Sequence, residues 1–211
     1  MQSAQDCMGD CVGLQPVVVF GTPQQKTRML PPIIRGEEKA CFAVTEPEVG
    51  LNTTQIKPKV ERKGDRYIVS GQKIWISTAQ VAHKVLILAR TTPLDEIKHK
   101  SDGLSLFYTE LDRSKAAIRP IQKLGRHAVD SNIIFFDGME VPAENLIGLQ
   151  GQGFRQILHG LNPERILMRP KPLGLAMPPC VAQPNTPRSG WCSTVPSARI
   201  RASSTLSLAA G

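Results

Sequence analysis

Between Cys41 and Gly148 the apolar residues arrive in short runs, each followed by turn-forming residues, and nowhere with the period of a long helix. Cys41-Phe42-Ala43-Val44 is one such run. Lys84-Val85-Leu86-Ile87-Leu88-Ala89-Arg90, Leu104-Ser105-Leu106-Phe107-Tyr108 and Asn132-Ile133-Ile134-Phe135-Phe136 are three more. Arg66 to Ile76 reads as a hairpin: Tyr67-Ile68-Val69-Ser70, a turn near Gly71-Gln72, and Lys73-Ile74-Trp75-Ile76 returning. Parallel βαβ units need helical crossovers, which this stretch lacks. The pattern predicts an antiparallel β-barrel or sandwich over residues 40–148.

The flanks differ in kind. Residues 1–39 read as a helical remnant. Thr22 can cap a helix, Pro23 suits its first turn, and Gln25 closes a capping box. Pro31-Pro32 is expected to limit that helix, and Gly36-Glu37-Glu38 to turn the chain. From Gly153 the period changes: Phe154, Ile157, Leu158 and Leu161 share one helical face, and Pro163 to Met168 looks like the start of another helix. Residues 149–168 thus open a second helical region. Residues 169–211 hold seven prolines and no acid, a composition expected to stay disordered. The fold class is α+β, an antiparallel β-barrel or sandwich with flanking helices.

The net charge of +8 suggests nucleic acid until its distribution is considered. Five of the positive charges (Arg169, Lys171, Arg188, Arg199, Arg201) fall in residues 169–211, which hold no acid, and no basic face interleaved with aromatics precedes them. No nucleic-acid partner is expected. No apolar run reaches the ~18 residues of a membrane span, and Met1 to Asp6 lacks the basic-then-apolar order of a secretory signal. The cysteines at 7, 11, 41, 180 and 192 form no CxxC pair, and His127 and His159 are remote from them in sequence. This argues against a metal site and for a reducing, cytoplasmic setting. His127 reads as a loop residue and His159 as an ordinary helix residue.

Three blocks carry a resemblance. Cys41-Phe42-Ala43-Val44-Thr45-Glu46-Pro47-Glu48-Val49-Gly50 is an apolar strand ending in Thr-Glu-Pro and a glycine-containing turn. Ser70-Gly71-Gln72-Lys73-Ile74-Trp75-Ile76-Ser77 has the form Gly-x-Lys-x-Trp-Ile followed by a hydroxyl residue. Phe136-Asp137-Gly138-Met139-Glu140-Val141-Pro142 runs on to Gly148. Alone, the first is a strand entering a turn and Trp75 an ordinary strand aromatic. Together, in this order and spacing, they resemble the acyl-CoA dehydrogenase family over roughly residues 17–168.

The resemblance implies FAD as cofactor, an acyl-CoA substrate, an electron-transfer flavoprotein as electron acceptor, and a homo-oligomeric full-length enzyme of fatty acid metabolism. It implies that Trp75 packs on the isoalloxazine, that Thr45 and Ser77 present hydroxyls to the ring's polar edges, and that the backbone near Phe42, Val44 and Ile76 lines it. Gly50 would allow close backbone approach. Gly50-Leu51-Asn52 departs from the Gly-Ser-Asp often found there, so Leu51 puts one polar substrate contact in doubt. Asn162-Pro163-Glu164-Arg165 falls where the family has Asp-x-x-Arg. Arg165 fits a place near the CoA arm, Asn162 replaces the acid, and Glu164 reads as a first-turn charge.

By the same resemblance, the base that removes the α-proton is a glutamate of a C-terminal helical bundle. No acid follows Glu164, so no catalytic residue is assigned and this chain is expected to be truncated and inactive. A codon choice for Arg169-Pro170-Lys171-Pro172-Leu173-Gly174 reads Ala-Glu-Ala-Leu-Gly in a shifted frame, the continuation expected of the family. The same shift over Arg188 to Thr205 permits a run resembling the family's next motif, so the tail reads as out of frame. Two other readings stay open: a flavin-dependent oxidase or monooxygenase on the same fold, and a non-catalytic β-module.

Overall fold

The computed structural model describes residues 14–50, 52–57, 60–125 and 129–168, with backbone alone for 163–168. Residues 14–20 are helical (α1) and Pro23–Ile34 form α2. Eight strands follow: β1 Ala40–Ala43, β2 Val60–Lys63, β3 Arg66–Ile76, β4 Lys84–Arg90, β5 Leu104–Glu110, β6 Ala116–Pro120, β7 Asn132–Pro142 and β8 Leu146–Ile147. Helix α3 spans Gly153–Met168.

The strands make two four-stranded sheets, in the orders β1-β4-β5-β8 and β2-β3-β7-β6. Every pairing is antiparallel except β1 with β4. The expected antiparallel sandwich with flanking helices is therefore present, with that one parallel pair added.

Strand alternation builds two cores from the first sheet. Val85, Ile87 and Ala89 of β4 face Tyr67, Val69 and Ile76 of β3 and Ile134, Phe136 and Met139 of β7 across the sandwich. Leu86 and Leu88 point the other way, onto Val17 of α1, Met29 and Ile33 of α2 and Ile157 of α3. This is why β4 and β5 read as unbroken apolar runs: both of their faces are buried. The second sheet has one dry face, and β3 and β7 alternate accordingly.

Four local expectations are corrected. Arg66–Ile76 is not a hairpin but one strand, both halves of which pair with β7. Gly71, at φ 135°, sits at a register shift that a β-bulge absorbs without reversing the chain. Helix α2 does not stop at Pro31-Pro32. Those prolines lose only their own amides, while their carbonyls accept from Arg35 at 3.0 Å and Glu37 at 2.9 Å. What ends α2 is Gly36 at φ 73°, whose amide bonds the Ile33 carbonyl, a Schellman close. Third, α3 runs through Pro163 without a break, since one proline removes one amide bond and can bend a helix without ending it. Glu164 is consequently inside α3 and not in a first turn. Lastly, the buried arc of α3 centres on Gly153, Gln156, Ile157 and Gly160, leaving Phe154, Leu158 and Leu161 half-buried at its margin. Glycines set this arc because a Cβ on Gly153 would lie 2.6 Å from the Ser105 carbonyl carbon.

Among the described residues no helix is long and apolar enough to cross a membrane, and no cluster of His, Cys, Asp and Glu could hold a metal. Residues 1–13 and 169–211, with the expectations attached to them, lie outside the described residues.

Candidate functional site

The strand β1 runs into Val44-Thr45-Glu46, and β3 passes beside that segment at Lys73 and Ile74. The Ile74 amide donates to the Thr45 carbonyl at 2.9 Å. Beneath this contact lies a buried ion pair: Lys73 Nζ donates to Glu46 Oε1 at 2.8 Å, to the Val44 carbonyl at 2.9 Å and to the Leu88 carbonyl at 2.7 Å. All three ammonium protons are satisfied, which is the condition for burying a lysine. Burial still disfavours its charged form, and despite the pull of Glu46 its pKa falls to about 8. The second oxygen of Glu46 accepts the Lys57 amide at 3.0 Å.

Two residues beyond Lys73 the pairing with β7 slips: Lys73 faces Ile134 but Ile76 faces Asn132, so β3 carries one extra residue. Trp75 sits in that bulge at φ 64°, a left-handed backbone that costs a non-glycine residue about 1–2 kcal/mol. The residue is 59% exposed. A large aromatic held out of the core on strained backbone gains nothing for folding, and such strain gathers at functional positions. Ile76 turns back into the core, so only its backbone can line the face. Ser77 is exposed and Thr78 is again left-handed, at φ 65°.

The far end of this strained segment is clamped from the start of β7 and the residues just before it. Asp130 accepts the Thr78 amide at 2.7 Å, and Asn132 Nδ2 donates to the Ile76 carbonyl at 3.0 Å and to Asp130 at 2.6 Å. Gln80 completes the set by donating to Asn132 at 3.2 Å.

The structure thus brings Thr45, Trp75, Ile76 and Ser77 to one edge where β1 and β3 meet, with Phe42 half-buried and Val44 buried on β1 and its continuation. The Thr45 and Ser77 hydroxyls bond no other described residue. An exposed indole plane beside two uncommitted hydroxyls and backbone suits a flat apolar ring with polar edges, the shape of a flavin. Gly50 is exposed, and an added Cβ there would meet no protein atom within 4 Å, so the protein's own packing does not require a glycine at this turn. Asn162 is exposed on α3 and makes no hydrogen bond to this face. Leu51, His127 and the Arg165 side chain lie outside the described residues. His159 is exposed and packs edge-on against Phe20 at 5.0 Å.

Sequence reasoning passed over Lys73, Glu46, Asp130 and Asn132. The signal for the first pair was present, since the first two motif blocks each set a charged residue, Glu46 and Lys73, among apolar neighbours.

Residues 41–139 match the family model of the acyl-CoA dehydrogenase middle domain. The chain is a member of the acyl-CoA dehydrogenase family. It is 31% identical to an acyl-CoA dehydrogenase of Bacillus subtilis over 78% of its own length and 43% of that protein. It is 32% identical to cyclohex-1-ene-1-carbonyl-CoA dehydrogenase of Geobacter metallireducens, again over 78% of this chain and 43% of the relative. Among solved structures it superposes on butyryl-CoA dehydrogenase from Megasphaera elsdenii with a TM-score of 0.75 at 26% identity, covering 82% of this chain and 45% of that one. This acyl-CoA dehydrogenase family chain spans less than half the length of these relatives.

Proposed function

We propose that this chain carries the flavin face of an FAD-dependent acyl-CoA dehydrogenase, in which α,β-dehydrogenation of an acyl-CoA thioester passes hydride to the flavin. The observation that carries the reading is the exposed, strained Trp75 fixed beside the Thr45 segment. When bound, FAD supplies the hydride-accepting chemistry. The chain's own part is to hold the ring: the Trp75 indole forms a wall against one face, the Thr45 and Ser77 hydroxyls reach its polar edges, and backbone near Phe42, Val44, Gly50 and Ile76 closes the rim. Leu51 would stand with Gly50 at the cofactor site, in place of a polar contact to the CoA side, and Asn162 and Arg165 toward the CoA arm. An electron-transfer flavoprotein as acceptor, homo-oligomeric assembly of the full-length enzyme, a role in β-oxidation and a cytoplasmic setting complete the proposal.

The 211 residues contain no carboxylate after Glu164 to serve as base. This chain alone is therefore expected to turn over no acyl-CoA, and, with only the ring-holding part of an FAD site proposed, to bind FAD weakly. Losing a positioned base costs on the order of 10²–10⁴ in rate. The test has two parts. FAD titration of the purified chain should give a bound flavin spectrum that Trp75→Ala abolishes, and indifference to Trp75→Ala would overturn the site. Dye reduction with short-, medium- and long-chain acyl-CoAs should be absent in this chain and present in a variant whose tail is restored to the shifted frame. A restored variant inactive on every chain length would overturn the dehydrogenase assignment.

A further inference from the structure

Lys73 and Glu46 have no part in the contacts proposed for the flavin, yet the face is built on them. Lys73 is 1% exposed and Glu46 5%, so neither side chain reaches the surface where Thr45 and Trp75 stand. The acceptors of Lys73 come from two places: Val44 and Glu46 on the segment leaving β1, and Leu88 on β4. Thr45 is the residue between the two that Lys73 grips. Trp75 lies two residues further along β3, and the intervening Ile74 bonds the Thr45 carbonyl. Both oxygens of Glu46 are committed, one to Lys73 and one to the Lys57 amide. A methionine could fill the space of Lys73. What it could not do is bind three acceptors on two segments at once, which is a directional constraint and not a packing one.

We propose that Lys73 and Glu46 are a positioning pair that fixes the Thr45 hydroxyl at one offset from the Trp75 ring and so sets the geometry of the flavin slot. The inference rests on the flavin reading of that face.

The experiment compares the 211-residue chain with Glu46→Gln and with Glu140→Gln, a control that breaks the exposed Arg66–Glu140 pair on β3 and β7. FAD is titrated into each, following the visible flavin band from about pH 6 to about pH 10, and protection of the Ile74 amide is measured relative to an unstructured amide. Glu46→Gln should bind FAD about tenfold more weakly with a shifted band, and should expose the Ile74 amide about tenfold while β4–β5 amides keep their protection. Glu140→Gln should behave as the parent. In the parent the flavin band should change with a midpoint at about 8 as Lys73 loses its proton. The charged groups that sense Glu46 are Lys73, Lys57 and Arg90: Glu48 and Glu46 raise the Lys57 pKa, burial lowers that of Arg90, and burial brings Lys73 to about 8. Parent-like affinity and band in Glu46→Gln overturn the proposal. Should that variant not fold, a flat parent band across the same pH range overturns it. If the parent binds no FAD, the flavin reading fails, and Ile74 protection decides the positioning separately: protection unchanged in Glu46→Gln overturns it.

Discussion

Trp75 and Lys73 are two residues apart and carry opposite kinds of cost, one of backbone strain and one of buried charge. Trp75→Gly removes the left-handed strain and an indole that packs little, against the added freedom glycine gives the unfolded chain. Thermal melts should show stability within about 1 kcal/mol of the parent while FAD binding is lost. Lys73→Met leaves Glu46 buried without its partner, and urea unfolding should register a loss of about 3–5 kcal/mol. The pH dependence follows from the lowered pKa. Between about 8 in the fold and the ordinary 10.5 of a free lysine, the unfolded chain holds more protons. Stability contributed through Lys73 should therefore rise across that window as pH increases, and be lost as pH falls to about 8. Melts of the parent and of Lys73→Met over the window check the sign, since the variant lacks that slope. Cys41 is the converse case: burial pushes its thiol up to about 12, so it should resist alkylation in the native chain.

At the scale of elements, α2 is held by its first turn. The Thr22 hydroxyl accepts the Gln25 amide at 3.2 Å, and Gln25 Oε1 accepts the Thr22 amide at 2.9 Å. Gln25 Nε2 also donates to the Glu144 and Leu146 carbonyls, each at 2.7 Å, tying α2 to β8. Thr22→Ala should cost about 1 kcal/mol, the value of a cap. Gln25→Ala should cost more, about 2–4 kcal/mol, because it also strips two partly buried carbonyls. Denaturant titration of both variants gives the ranking, and equal losses would mean the bonds to β8 contribute nothing. On α3, Gly153→Ala forces a Cβ against the β5 backbone and should destabilise by about 1–3 kcal/mol. The element that sequence patterning misread most, β3, is also the one that carries the candidate site. Its bulges interrupt the alternation that would otherwise have marked it as one strand.

For the whole molecule, the first sheet serves two cores at once, so the helices and the sandwich should not unfold separately. Leu86→Ala on the helix side and Ile87→Ala on the sandwich side should each cost about 2–5 kcal/mol. Both should lower one shared transition, seen alike by far-ultraviolet dichroism and by tryptophan fluorescence. Separate transitions would show the cores to be independent. The sequence by itself determined the strands β4 and β5 and the capped start of α2, and it offered Thr45, Trp75 and Ser77 as the proposed flavin contacts, since these rest on local periodicity, capping chemistry and contiguous motifs. It did not reveal β2, β6 or β8. The first two are largely exposed beyond their opening residue and the third is two residues long, so apolar patterning leaves no trace. Only the tertiary structure decided that Lys73 meets Glu46 across 27 positions and that Asp130 clamps Thr78 across 52. Strand pairing sets such meetings, and it also sets the bulge that turns Trp75 outward. A one-dimensional pattern records which residues face inward but not which of them touch.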